Sequence, residues 1–199
     1  MTRLEAVLRR VAADLEREGA RWALVGGLAV SARTEPRFTR DLDLAVAVAG
    51  NAQAESLVRA LLSRGYRIGA ALERTDQNLL ATVRLLPPGE PAGGVLVDLL
   101  FASCGIEPEI VESSPPLEVF PGLDVPVATI PHLLAMKVLA RDDVRRPQDA
   151  IDISALLTAA RSDEIDAART ALETIALRGF DRGKNLLASL DEAADRFRS

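Results

Sequence analysis

Two short strings, Val25-Gly26-Gly27 and Asp41-Leu42-Asp43-Leu44, decide how this chain folds; thirteen residues separate them. Trp22 to Val25 is an apolar run that reads as a short strand, and Leu28 to Ala32 is a small-residue helical stretch. A polar loop, Arg33 to Arg40, leads to a second strand over residues 41–48. Side chains two apart on a strand share a face, so Asp41 and Asp43 project together with Leu42 and Leu44 opposite. Adjacent carboxylates repel unless something neutralises them. A divalent cation does so, and Mg²⁺ suits carboxylate oxygens. The glycine pair at a strand-to-helix junction offers backbone N–H groups with no Cβ in the way, a ready phosphate site. A phosphate cradle followed by a metal-binding carboxylate pair is what nucleotidyl transfer needs: the metal bridges the triphosphate, and two ions can clamp the attacking and leaving oxygens.

A third carboxylate is expected from a neighbouring strand. The run Val95-Leu96-Val97-Asp98-Leu99-Leu100-Phe101 is apolar except for Asp98. A buried lone carboxylate is costly unless paired or metal-bound. Asp98 is therefore the candidate to join Asp41 and Asp43 at the metal and to deprotonate an attacking hydroxyl, the competing reading being a satisfied structural carboxylate.

Outward from this centre, residues 3–18 carry apolar side chains at helical spacing, with Thr2 as N-cap and Gly19 as stop. Asn51 is read as the cap of a helix reaching Arg64. Residues 79–86 and 94–101 read as strands across a Pro/Gly loop. From Cys104 to Pro131 the chain is rich in Pro and Glu and reads as a connecting region with β-like pieces at 117–120 and 125–128. Beyond it four helices follow, near 131–142, 147–160, 163–178 and 183–197. The fold class is α+β: a short mixed sheet flanked by helices over residues 1–130, and a C-terminal helical region over 131–199. Either the boundary separates two units or both halves share one core.

Composition narrows the chemistry. One cysteine, Cys104, and one histidine, His132, leave no intrachain disulfide, no Cys-based cage and no His-rich metal site. No apolar run approaches the ~20 residues of a membrane span, and the charged N-terminus does not read as a signal peptide. The expected compartment is the cytoplasm. The net charge of −5 argues against a general nucleic-acid binder, but residues 104–124 alone hold five acids and no base. Local basic patches therefore remain: Arg33, Arg37 and Arg40 in the loop 33–40, and Lys137, Arg141, Arg145 and Arg146 in the stretch 137–146. Only two bases are lysine, Lys137 and Lys184. Lys137 sits in an apolar helix with Arg141 one turn on, where it either snorkels or reaches a phosphate. Asp149 and Asp152 are i, i+3 on the next helix. Acids near a helix N-terminus favour its dipole, and for Asp149 that reading competes; Asp152 lies deeper, suited to positioning Lys137, an Arg or a base.

At these residues the chain resembles the DNA polymerase β-like nucleotidyltransferase superfamily, whose signature is hydrophobic-Gly-Gly/Ser, a spacer, then Asp-h-Asp-h. The loop Arg33 to Arg40 followed by Asp41-Leu42-Asp43-Leu44 is similar to that of AbiEii-type nucleotidyltransferase toxins of bacterial toxin–antitoxin systems, including the MenT toxins. Their later Lys-Leu and Asp-x-x-Asp motifs match Met136 to Arg141 and Asp149 to Asp152, with Gln148 where a basic residue is usual. The resemblance covers about residues 22–157. It implies catalytic roles for Asp41, Asp43, Asp98, Lys137 and Asp152, and nucleotide binding by Gly26, Gly27, Thr39, Lys137 and Arg141. It implies Mg²⁺ as cofactor, an NTP as substrate and transfer of a nucleoside monophosphate to the 3′ end of tRNA, which blocks aminoacylation and translation. It also implies a cognate antitoxin that can silence the enzyme by phosphorylating Thr39, a residue that otherwise reads as an ordinary β-branched start of a strand. Two competing functions stand beside this one. One is nucleotidyl transfer to an aminoglycoside-like small molecule, which the acidic 104–124 segment would suit, or to a protein side chain. The other is a catalytically inactive binding module.

Overall fold

A computed structural model describes residues 1–74, 79–142 and 147–198. Helix α1 (Arg3–Arg17) is capped by Thr2, whose hydroxyl accepts from Glu5 N at 3.1 Å. Strand β1 (Arg21–Val25) runs straight into α2 (Gly26–Arg33), so the helix begins at the glycine pair itself. There follow β2 (Leu42–Ala47), α3 (Asn51–Ser63), β3 (Arg67–Arg74), β4 (Leu79–Leu86) and β5 (Val97–Leu100). The five strands form one mixed sheet in the order β1-β2-β5-β4-β3. Strands β2 and β5 are parallel, and every other pairing is antiparallel.

That order positions the polar residues. Because β1 is antiparallel to β2, the end of one lies at the start of the other: Val25 pairs with Asp43, so the glycines that follow lie beside the carboxylates. On its other side Asp43 pairs with Asp98 of β5, and Asp98 pairs with Arg84 of β4. Residues directly opposite on neighbouring strands point to one face. Leu42, Leu44 and Leu99, on the reverse face, are fully buried and hold the sheet on its core.

Between the sheet and the last helices lie α4 (Glu107–Glu112) and a hairpin, β6 (Pro116–Phe120) with β7 (Leu123–Pro126). The chain then meets the outer edge of β1, where Leu24 bridges Val127 and Ala128 N donates to Leu24 O at 3.0 Å. Four helices complete the molecule: α5 (Ile130–Ala140), α6 (Pro147–Ala159), α7 (Ser162–Leu177) and α8 (Leu186–Arg198). Helix α2 contacts β1 and β2 on one side and α5 and α6 on the other. The apolar core runs unbroken from Val7 through Leu44 and Leu134 to Leu190, across position 130.

Three readings of the sequence change. Gly50, not Asn51, is the N-cap of α3; Asn51 Oδ1 instead accepts from Leu80 N at 2.8 Å and ties the helix start to β4. Strand β3 and helix α4 were not expected. The stretch read as a helix from 183 begins at Leu186, and the turn before it, from Gly179 to Gly183, lines the cleft described below.

His132 links α5 to the end of α4. Its Nδ1 lies 3.0 Å from Thr129 Oγ1 and 3.3 Å from Ser113 Oγ. Burial lowers its pKa below the ordinary 6.5, against the opposing charge of Glu109. A histidine held neutral in the fold but able to protonate when unfolded contributes stability above pH 6.5, and that contribution is lost as the pH falls through the depressed folded value. Between pH 7 and pH 5, wild-type Tm is expected to fall more than that of His132→Gln; thermal melts of both proteins at the two pH values check it.

Candidate active site

A cleft of about 1160 Å³ opens between the sheet and the helical half, and its walls carry most of the polar residues singled out above. Gly26, Gly27, Thr39, Asp41, Asp43, Asp98, Lys137 and Asp149 all line it. The glycines are required by crowding. Gly26 has φ +66°, and a Cβ there would fall on the Asp43 carboxylate, 2.5 Å from its Cγ. A Cβ on Gly27 would lie 2.7 Å from Arg37 Nη2 and 3.0 Å from Thr39 Oγ1. The loop between α2 and β2 is folded over this junction, with Arg37 N donating to Ser31 Oγ at 3.2 Å and Ser31 Oγ donating to Gly27 O at 3.1 Å. Gly26→Ala is therefore expected both to destabilise the fold, since an L-residue is strained at this φ, and to displace Asp43. Reduced Tm together with loss of transferase activity in the same variant is the outcome to measure.

Asp98 is 7% exposed. Its two oxygens accept from Arg84 Nε at 2.8 Å and Nη2 at 2.7 Å. Hydrogen bonding to Asp98 raises the Arg84 pKa above its ordinary value, with the charges of Asp41 and Asp43 acting in the same direction. Sequence reasoning did not find Arg84. The signal was there: a single arginine in the strand Leu79 to Leu86, one strand from a single aspartate.

Facing the sheet is a second charged group. Lys137 Nζ lies 2.7 Å from Asp149 Oδ1 and 2.8 Å from Asp152 Oδ2, all three residues being buried. Asp152 also takes a two-pronged contact from Arg37, Nε at 2.6 Å and Nη2 at 2.7 Å. Burial alone would raise the Asp152 pKa, but hydrogen bonds from Arg37 and Lys137 outweigh it and hold the carboxyl below the usual range. The i, i+3 spacing of Asp149 and Asp152 thus puts both carboxylates on Lys137, and Arg37, 115 positions away from Asp152 in the chain, joins them.

Other expected positions are occupied differently. Arg141 ends α5 outside the helical conformation, and its guanidinium lies 4.0 Å from Glu192 of α8; it does not line the cleft. Lys184 donates to Leu139 O and Arg141 O, both at 2.8 Å, and so satisfies carbonyls at the end of α5. Of the two basic patches, Arg33, Arg37, Lys137 and Arg141 are engaged internally. Arg33 donates to Val127 O and Ala128 O at 2.7 and 3.0 Å, and Arg37 is held by Asp152. Arg145 and Arg146 lie outside the described residues. Of the acidic segment, Glu107 is turned inward to accept from the N–H groups of Ser103, Cys104 and Gly105, and Glu109 pairs with Arg178. None of its five acids lines the cleft. At the mouth, Phe38 is 78% exposed, with the Arg40 guanidinium 5.6 Å above its ring.

The donor set suits a hard divalent cation. Strand β2 starts at Leu42, so Asp41 lies just before it rather than on it as expected; Asp41 and Asp43 both line the cleft, and Asp98 is in register beside Asp43. Among the described residues no group of three or more His, Cys, Asp or Glu stands placed around a point where an ion would sit. Asp98, the natural third donor, has both oxygens on Arg84. The residues fit the ion: Asp41 and Asp43 lie at the start of β2, and Asp98 is the register partner of Asp43. No helix among the described residues is long and apolar enough to cross a membrane.

Comparison with known proteins agrees with this architecture. Residues 7–198 match the family described as nucleotidyl transferase AbiEii toxin, type IV TA system. Among solved structures, an antigenic nucleotidyltransferase-like protein from Paracoccidioides brasiliensis superposes with a TM-score of 0.53 at 19% identity, covering 94% of this chain and 92% of that one. The antibiotic-resistance factor ANT(2″)-Ia has a TM-score of 0.49 at 16% identity, with 97% and 90% covered. The lincosamide antibiotic adenylyltransferase LnuA has a TM-score of 0.49 at 16% identity, with 77% and 96% covered. No curated protein sequence matches the chain. The α+β fold is thus that of the nucleotidyltransferases.

Proposed function

Because the chain belongs to the nucleotidyl transferase AbiEii toxin family of type IV toxin–antitoxin systems, we propose that it transfers a nucleoside monophosphate from an NTP to the 3′ end of tRNA, in a Mg²⁺-dependent reaction that blocks aminoacylation and translation. The observation that carries nucleotidyl transfer is the placement of Asp43: the glycine turn lies on one side of it, Asp98 on the other, and all of them line one cleft.

In this reading the N–H groups at Gly26 and Gly27 receive the phosphates at the start of α2. Asp41, Asp43 and Asp98 would hold the metal. A bound Mg²⁺ supplies neutralisation of the triphosphate charge and orientation of its oxygens. Asp98 takes the proton of the attacking hydroxyl; the bond from that oxygen to the α-phosphorus forms, and the bond to the leaving pyrophosphate breaks. Lys137, held by Asp149 and Asp152, lines the same cleft and in this reading supplies positive charge to the triphosphate. Thr39 also lines the cleft. A phosphate added there by an antitoxin would repel Asp41 and Asp43 and occupy the triphosphate site.

Two observations favour an RNA end as acceptor. Exposed Phe38 with Arg40 over it is a surface on which an unpaired base stacks. The acidic 104–124 segment, which would attract a cationic small molecule, contributes no carboxylate to the cleft. The test is to incubate the protein with each α-labelled NTP, Mg²⁺ and total RNA, and to size the product. Label in a tRNA-sized band is expected. Label in protein or in a small-molecule pool moves the acceptor, and no incorporation from any NTP removes the enzymatic reading.

A further inference from the structure

One carboxylate of the cleft, Asp98, is engaged at both oxygens. Asp43, Asp98 and Arg84 are successive register partners on β2, β5 and β4, so they form a row across one sheet face. Arg84 occupies both oxygens of Asp98, at 2.8 and 2.7 Å. The two partners differ in their surroundings. The Arg84 side chain is 43% exposed and lines the cleft, whereas Asp98 is buried. A buried carboxylate stripped of its cation is strongly disfavoured. An exposed guanidinium, by contrast, exchanges one anion for another at little cost, because its planar fork matches carboxylate and phosphate alike.

We infer that Arg84 is an anion-swapping latch: it holds Asp98 while the cleft lacks nucleotide, turns to the polyphosphate when an NTP enters, and so releases Asp98 to the cation beside Asp43 and to the acceptor hydroxyl. The inference rests on the nucleotidyl-transfer reading above. It makes Arg84 a positioning residue that acts through Asp98. It also orders assembly of the site: a cation arriving alone finds Asp98 held by a positive charge, whereas a cation arriving with a nucleotide finds Asp98 released. The third donor is thereby withheld until the group that needs it is present.

The guanidinium itself reports the swap. In the wild-type protein the Arg84 Nε–Hε resonance, assigned by its loss in Arg84→Lys, is followed by NMR during titration with Mg²⁺ alone and then with Mg²⁺ and each non-hydrolysable α,β-methylene NTP. Mg²⁺ alone is expected to leave the resonance in place. A bound nucleotide analogue is expected to move it, with the shift saturating along the same isotherm as nucleotide binding measured by calorimetry. A resonance that stays put at saturating nucleotide, or that moves with Mg²⁺ alone, overturns the latch and leaves the transferase reading standing. Failure of every Mg²⁺–nucleotide pair to bind overturns the transferase reading and the latch with it. As a second measurement, Mn²⁺ affinity without nucleotide is read by electron paramagnetic resonance. Arg84→Gln is expected to tighten it about tenfold, since a positive charge beside the ligands opposes a second cation, whereas Arg84→Lys retains near wild-type affinity. Equal Mn²⁺ affinity in wild type and Arg84→Gln counts against the latch.

Discussion

Asp43→Asn is expected to leave a cooperatively folding protein that incorporates label from NTP at least about 10³-fold more slowly than wild type, the scale of loss when a group acting on transition-state charge is removed. Asn has nearly the shape of Asp, so the fit beside Gly26, where a single Cβ would already collide, is kept. What disappears is one negative charge in a row that also holds Asp98 in register and Asp41 two residues away. Asn keeps an oxygen acceptor at the position while removing the charged donor that the cation needs. Stability and activity therefore separate, which distinguishes this position from Gly26. Initial rates of label incorporation and thermal melts of the same preparations check both halves. A variant that melts normally and transfers at the wild-type rate refutes chemistry through the carboxylate row.

The parts of this site legible from the sequence are local. A strand, two glycines, a helix and a strand with alternating aspartates lie within 26 residues, Trp22 to Ala47; period-2 alternation points Asp41 and Asp43 the same way, and although β2 starts only at Leu42 both line the cleft. Asp98 was visible because it interrupts an apolar run. The missing elements lack such patterns. Strand β3, Arg-Ile-Gly-Ala-Ala-Leu-Glu-Arg, is an edge strand whose side chains are exposed from Arg67 to Glu73, so it shows no buried face to read. Its existence depends on pairing with β4. Helix α4 is six residues long, and its start is set by Glu107 folding back onto three N–H groups. Pairing across the fold was equally hidden. Arg84 meets Asp98 only because β4 and β5 are neighbours, and Arg37 meets Asp152 only because the loop after α2 reaches α6. For the same reason the basic loop from Arg33 to Arg40 reads as more available than it is, because backbone carbonyls hold Arg33 and a buried carboxylate holds Arg37.

The cluster around Lys137 carries the other large expectation. Lys137→Met is predicted to destabilise the protein by about 3–5 kcal/mol, the cost of leaving buried charge without its counter-ion. The ammonium is shared between Asp149 and Asp152 at 2.7 and 2.8 Å, and although Asp152 keeps Arg37, the Asp149 oxygen bonded to Lys137 loses that partner. The pH dependence gives the sign. In the wild type, burial works to raise the Asp152 pKa, but Arg37 and Lys137 hold it below 3.8, so its contribution to stability is present above that value and fades as acid protonates the folded state. Removing Lys137 takes away one of the two restraining cations. The gap between wild type and variant, measured by urea melts, is thus full at neutral pH and narrows as the pH falls below 3.8. A companion substitution separates structure from chemistry. Lys137→Met with Asp149→Asn removes one positive and one negative charge together, so part of the lost stability is expected to return. Transfer activity is not expected to return with it, because the charge presented to the triphosphate is still missing. A double variant that regains both would reduce Lys137 to a structural counter-ion, and a single variant as stable as wild type would deny that the two aspartates depend on it.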